Sequence, residues 1–578
     1  MTEKKEMDRR TYIKYLGAVV AGAAVVGVGW AGYEATKSPV VSPAVTTTET
    51  VTVSGTASPP PVTTVAAKNY SGITLKLVTQ TGPFIAGPVY DHRGAWAQET
   101  GGTIEVIEVP WSDLYAKIMT SMTTGAKAFD ILIHGGQFIP DYGGGGFTVD
   151  LTDRVTSTDP NVNPWWSDIM PANRSYESGW GGKFYAIPLD GDHHMSYYNK
   201  LAMENPDYRS KFKAKYGYDI PAPASTKDGK TEPLFRQYTW EEWRDMAEFF
   251  NKWDWFGDGK THYGVMECMS RGTQSYWWIY DHAAPYSVLP GGPDKYHWQL
   301  YFDPETMEPI CAGNQGWIEA LKLAQSMVPL GPPGMLGYSV SEVRAGMVAG
   351  ESALAIDWPD IGVMSVDPKL SKIVGNCGFG SIPGSAKVWD REKKDWVKAD
   401  WSTDLDHSGA PINQWPINNG TGWAGHIVKT AASVDAAYDF LRFLGSPAIS
   451  LLDVVRGSTG FNPYRFSHFA PESMRTWLQQ GFTQNDALAY LDEIKRAFGK
   501  TDPVNPKKVA CIPDLKLPGT AAYNDSLDLH YTSCLAGKET PEDCVAAIGK
   551  EWDVITDRFG RDKQKAAYQT MLSAGLIG

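Results

Sequence analysis

Asp190-Gly191-Asp192-His193-His194 packs two carboxylates and two imidazoles into five residues, the densest run of reactive side chains in the 578-residue sequence. A metal site needs its ligands on one side. Successive side chains of a strand point to opposite faces, so His193 and His194 cannot both reach one ion there. A site-lining or hydrogen-bonded role fits the run better. The Asp190/Asp192 pair has the residue types of a glycoside hydrolase, but with 66 acidic residues in the chain such a pair proves little. Asp254-Trp255-Phe256-Gly257-Asp258-Gly259-Lys260 has the look of a calcium loop. It carries Phe256 where the third ligand belongs and Val265 where the final Glu belongs. It reads as a surface turn ahead of a strand, with calcium the lesser alternative. No G-x-S-x-G, HExxH or P-loop spacing occurs, and Gly143-Gly144-Gly145-Gly146 lacks the Lys-Ser/Thr that a phosphate cradle requires. No cofactor is indicated. The six cysteines show no CxxC spacing, which gives zinc and thioredoxin chemistry little support. Disulfides and buried thiols both stay open, and Cys534 with Cys544, flanking a short helix–turn–helix, is the pair that bonding would favour. The chain is rich in aromatics, with 22 Trp and 28 Tyr, material for stacking on a sugar ring as well as for ordinary core.

These groups are positioned by an alternation of strands and helices. Residues 73–79 and 103–109 alternate apolar and polar as strands, 90–100 and 111–124 read as helices, and Phe129-Asp130-Ile131-Leu132-Ile133 reads as a buried strand. That order predicts a parallel sheet with crossover helices, and ligands of such sheets gather beyond the carboxyl ends of the strands. Those ends are Thr79-Gln80-Thr81-Gly82, Pro110-Trp111 and His134-Gly135-Gly136-Gln137. Thr239-Trp240-Glu241-Glu242 and Thr540-Pro541-Glu542-Asp543 are helix starts, each a cap followed by acids. Val434 to Leu444 is an amphipathic helix.

The amino terminus fixes the compartment. Arg9-Arg10 precedes an uncharged run from Tyr15 to Tyr33, and a Thr-, Ser- and Pro-rich stretch follows to about residue 67. This predicts a Tat-like signal or membrane-anchor helix over 1–35 and a disordered stalk over 36–67. An uncleaved anchor is the expectation, with removal by a signal peptidase as the alternative. The protein would then work on the extracellular face of the cell membrane. Sequons at Asn69, Asn173, Asn419 and Asn524 are candidate glycan sites. The net charge is −13, and an acidic body argues against nucleic acid as a partner.

Gly181-Gly182-Lys183-Phe184-Tyr185-Ala186-Ile187-Pro188 with Tyr197-Tyr198-Asn199-Lys200 resembles the extracellular solute-binding proteins of ABC transporters, in the class that includes maltose-binding protein. Further segments agree in order: Glu105–Pro110, Phe129–Leu132 with its Gly-rich sequel to Asp150-Leu151, Tyr238–Glu242, Ala353–Pro359, Gly420–Trp423, Phe440–Leu444 and the tail around Tyr523 and Gly537–Glu542. The resemblance covers about 73–560. It implies an α/β, two-lobed periplasmic-binding-protein-like fold (type II), with lobe 1 from 68–187 and 385–445 and lobe 2 from 188–384 and 446–578. It implies a carbohydrate ligand in the interlobe cleft and delivery to ABC permease subunits, without catalysis. Carried over residue by residue, the ligand-binding candidates are Trp111, His134, Gln137, Asp190, Asp192, Tyr276, Trp277, Trp358, Trp423 and Tyr523. Insertions at about 205–237 and 386–412 have no counterpart in smaller members, which allows a larger or more polar ligand. The rival expectations are an exported carbohydrate-active hydrolase and a structural cell-surface protein.

Overall fold

The computed structural model describes residues 68–574 except 160–161, 163–164, 221–224, 228–229, 233–237, 291–298, 502–508 and positions 419 and 421. The expected anchor helix and stalk lie outside the described residues. Among the described residues, no helix is long and apolar enough to cross a membrane.

The chain opens with β1 (Thr74–Gln80), α1 (Pro83–Thr100), β2 (Thr103–Val109), α2 (Trp111–Thr124), β3 (Ile131–Gly135) and β4 (Ala186–Pro188). It crosses to β5 (Met195–Asn199) and continues through α3 (Trp240–Phe249), β6 (Tyr263–Met266), α4 (Tyr276–Ser287), α5 (Gln315–Met327), α6 (Val340–Val348), β7 (Ser352–Asp357), α7 (Asp360–Ser365) and β8 (Cys377–Gly380). It returns as β9 (Trp423–Ile427), α8 (Val434–Leu444) and α9 (Pro447–Val454). It ends with α10 (Gln484–Ala497), α11 (Thr520–Leu535), α12 (Pro541–Phe559) and α13 (Arg561–Ala574).

Two sheets result. The first has the order β2-β1-β3-β9-β4, with β1 parallel to β2 and β3, and β9 antiparallel to both its neighbours. The second has the order β6-β7-β5-β8, with β6 parallel to β7 and β5 antiparallel to both neighbours. The local causes are those of the sequence. In β1 the residues Leu75 and Leu77 are fully buried while Thr74 and Lys76 face out. In β3, covered on both faces, all five residues are buried. Helix α3 starts with a complete capping box, the Glu242 amide donating to Thr239 Oγ1 at 3.1 Å and the Thr239 amide donating to Glu242 Oε2 at 2.7 Å. Helix α1 begins at Pro83, earlier than expected. Proline is tolerated at the first position, where Pro83 stands, while Pro88 lies inside the helix and leaves the Phe84 carbonyl to accept from the Gly460 amide.

The contacts regroup two stretches relative to the expected lobes. The hairpin of Lys387–Asp390 and Asp395–Lys398 lies on the helices of the second sheet, with Lys387 Nζ 2.9 Å from Glu319 of α5. Asn413 Nδ2 donates to the carbonyls of Pro285 and Val288, both at 2.8 Å. Those carbonyls close α4, so the segment satisfies acceptors that a helix end leaves open. Residues 446–462 instead meet α1 of the first sheet. His92 Nε2 is 2.8 Å from Asp453, Arg456 is 2.7 Å from Asp91, and the Gly460 amide donates to the Phe84 carbonyl.

All six cysteines are buried and none is in a disulfide. Cys534 of α11 meets Cys544 of α12, and that hydrogen bond together with burial raises the Cys544 thiol pKa. The Asp254 loop is a turn, whose carboxylate accepts from the amides of Gly257, Asp258 and Gly259.

Candidate functional site

Strand polarity places the site. The carboxyl ends of β1 and β3, the start of β9 and the carboxyl end of β7 converge, and so does the 189–194 crossing. Gln80 closes β1, Trp423 opens β9 opposite Gly135, and Trp358 follows β7 directly. A cavity of about 30 Å³ lies here between the lobes. Gln80, Phe84 and Trp423 line it from the first lobe, and Asp192, Arg344 and Trp358 from the side of the second. It has room for water, not for a sugar ring. The two lobes are therefore shut on each other around it.

An aromatic chain runs through this junction. Trp111 packs on Trp423 at 5.7 Å between ring centroids and on Trp277 of α4 at 5.9 Å. Trp277 meets Trp358 edge-on at 5.4 Å, and Trp358 in turn meets His194 at 4.4 Å. Trp277 Nε1 donates to Asp514 at 3.1 Å, which fixes the indole.

Beside the aromatics lies a carboxylate cluster. Arg344 of α6 grips Asp357 through Nε and Nη2 at 2.7 and 3.1 Å and reaches Asp360 at 2.8 Å. Its guanidinium also sits over the Phe84 ring at 5.0 Å, a contact between lobes. Asn462 Nδ2 donates to Asp192 Oδ1 at 3.1 Å and to Asp360 Oδ2 at 3.3 Å. Asp190 accepts from the amides of Asn462, Gly191 and Trp423. One guanidinium does not neutralise four buried carboxylates. Desolvation, then mutual repulsion, pushes Asp192 well above the usual carboxylate range; Asp190 and Asp360 are raised too, with desolvation first. Asp514 is pushed up to about 7 by burial, and burial lowers Lys516 to about 7.

Most expected residues meet here. Trp111, Asp190, Asp192, Trp277, Trp358 and Trp423 are in the junction, and Tyr276 stacks beside Trp277 at 4.6 Å. His134 stands behind Trp111, held by Tyr142 at 2.7 Å, and burial keeps it well below the usual imidazole range. Gln137 is buried in the turn after β3. Tyr523 is not brought in. Its ring lies among Phe302 and Trp552, and its hydroxyl pairs with Thr556 at 3.0 Å, inside the α11–α12 packing. His193 and His194 diverge, although they precede the strand that begins at Met195 and do not lie in it. His193 packs on Phe498, with burial lowering it to about 3, while His194 binds Asp281 at 2.5 Å. Arg344, Asp360, Asn462 and Phe84 escaped the sequence reading. Only Asp360 carried a signal, two residues beyond Trp358 in the same strand-end turn.

The arrangement can stack a ring face on indole and accept hydroxyl protons on carboxylates. The family model described as bacterial extracellular solute-binding protein matches residues 77–449. A Deinococcus radiodurans protein named probable ABC transporter-binding protein is 23% identical over 290 residues, half of this chain and 58% of that relative's length. Among solved structures, an ABC transporter solute-binding protein from Agrobacterium radiobacter K84 in complex with ribitol matches with a TM-score of 0.60 at 18% identity, over 84% of this chain and all of that one. One from Agrobacterium vitis S4 with bound D-mannitol gives 0.59 at 16%, over 85% and 99%. Maltose-bound T. maritima MalE3 gives 0.55 at 16%, over 84% and 100%. These likenesses share the mixed α/β, two-lobed fold, and the family consists of binding proteins, not enzymes. With its model matched across well over half of the sequence, the chain belongs to the bacterial extracellular solute-binding proteins.

Proposed function

We propose that the protein is the substrate-capturing component of an ABC importer, that it binds a sugar or polyol between its lobes, and that it presents the loaded, closed form to the permease. The observation that carries this is the junction itself. Trp358 and Trp423 face a cavity beside Asp192 and Asn462, on strand ends of two separate sheets. A ligand held by both lobes makes contacts only in the closed state, so it draws the chain toward closure by that differential affinity. The similar structures bound to ribitol, D-mannitol and maltose support a sugar or polyol as the ligand class. The paired arginines and apolar run of residues 9–33, with the stalk behind them, support export and tethering at the outer face of the membrane.

The test is a thermal-shift screen of the full chain over sugars, polyols and peptides. A ligand present at one hundred times its dissociation constant adds about 2.7 kcal/mol to stability. Sugars or polyols should raise the melting temperature and be recovered unaltered. Turnover, or stabilisation by peptides alone, would refute the reading.

A further inference from the structure

A second cavity lies outside the cleft. It measures about 320 Å³ and opens beneath the 385–415 segment, between Trp401 and Trp415 on one side and Glu493 and Arg496 of α10 on the other. That is some tenfold the volume of the cleft cavity, and it falls in the range of small-molecule sites. Its walls are built. Gln414 Nε2 donates to the Ile382 carbonyl at 2.5 Å, Trp415 Nε1 to the Val288 carbonyl at 3.2 Å, and Ser381 Oγ to buried Glu493 at 2.5 Å. Trp401 is half-buried, steered by Asn413 Oδ1 at 3.4 Å from its Nε1.

The lining chemistry narrows the ligand. Asp404 and Glu493 are acceptors, Arg496 is a donor, and Ser402 and Thr403 do both. Two carboxylates against one guanidinium give no strong field for an anion. Groups that donate and accept from the same atom, next to two indole faces, suit hydroxyls on a compact carbon frame. His194 forms the partition. It lines this cavity and packs at 4.4 Å against Trp358, which lines the cleft.

We propose that this cavity is a second solute site, taking a neutral monosaccharide or linear polyol, separate from the cleft and walled by the inserted segment. The site stands apart from the cleft reading, and the two can fail independently. Titration calorimetry on the full chain would use D-glucose, D-galactose and D-sorbitol as probes, with Trp401→Ala, the cavity-filling Ser402→Tyr and the cleft variant Asp192→Asn. The expected result is binding of at least one probe that both Trp401→Ala and Ser402→Tyr weaken tenfold or more and that Asp192→Asn leaves intact. Ser402→Tyr gives up the bond that Ser402 Oγ accepts from the Asp404 amide at 3.1 Å, and an unchanged melting temperature of the variant separates filled volume from misfolding. If no probe binds in a manner sensitive to both substitutions, the second site is overturned. Binding lost only in Asp192→Asn would overturn it as well while leaving the cleft reading in place.

Discussion

Trp358 joins the cleft cavity, the aromatic chain and the carboxylate cluster, and its substitution has two costs. The side chain is buried against Trp277, Trp278 and His194. Trp358→Ala should lower sugar or polyol affinity at least tenfold and also destabilise the fold by about 3 kcal/mol. Calorimetry and urea unfolding measure the two separately, and Trp358→Phe should retain most of the stability. The buried charges beside it set a pH dependence. Asp190, Asp192, Asp360 and Asp514 are all raised in the fold, Asp514 to about 7. The folded chain thus holds protons that the unfolded chain releases near pH 4, and stability falls as pH rises from about 4 to 7. Lys516 runs the other way. Lowered to about 7, it sheds its proton in the fold while the unfolded lysine keeps it to about 10, so its contribution rises with pH above 7. The cluster therefore contributes a stability minimum near pH 7. In urea unfolding at pH 5, 7 and 9, Asp514→Asn should flatten the decline from pH 5 to 7, by on the order of 1 kcal/mol per pH unit of displaced titration. An unchanged profile would contradict the assignment.

Helix α6 supplies Arg344 to a site made mostly by strand ends, and the arginine holds β7 and α7 together through Asp357 and Asp360. Arg344→Met leaves both carboxylates uncompensated and should cost about 3–5 kcal/mol, with part recovered on adding Asp360→Asn. Chemical denaturation of the single and double variants checks this, since additive losses would mean the groups are not coupled. The entry to β9 depends on a glycine. Gly422 has φ +76°, and a Cβ there would stand 2.7 Å from the Glu177 carboxyl and 3.0 Å from the Asp190 carbonyl. Gly422→Ala should cost on the order of 1–3 kcal/mol from strain alone and displace the Trp423 amide from Asp190. Its melting temperature tests this against Gly181→Ala, a positive-φ glycine with open space around it.

Two sheets facing each other across the junction make closure the motion that the proposed ligand capture requires. Small-angle scattering of the unliganded chain should show a population more extended than the described form, and a bound sugar should remove it. A ligand that leaves the scattering profile unchanged would separate binding from closure. The contacts at 446–462 bear on this motion. The Gly460 amide donates to the Phe84 carbonyl of α1, while Asn462 holds Asp360. One short segment therefore touches both sides of the junction.

Local chemistry carried much of this in advance. The alternation of residues 74–77 and the cap at Thr239 are short-range patterns, and each did in the fold what its periodicity or capping chemistry demands, whereas the run 190–194 lies ahead of the strand expected to contain it. The strand-end rule named Trp111, because the polarity of a strand and its neighbours follows from the chain order, while Asp192, Trp358 and Trp423 came from the family resemblance. Contacts between segments far apart were invisible. Arg344 and Asn462 carry no motif, and they matter only because packing puts them beside Asp192 and Asp360. Tyr523 shows the converse, an aromatic whose position at a helix start left open which face would be buried. The α11–α12 contact turned that ring into core, since burying an indole-lined interface between helices outweighs exposing a phenol to a distant cleft. The 385–415 segment went to the second sheet because its Asn413 answers unpaired carbonyls at the end of α4, a demand that no stretch of sequence displays until the helix has been placed.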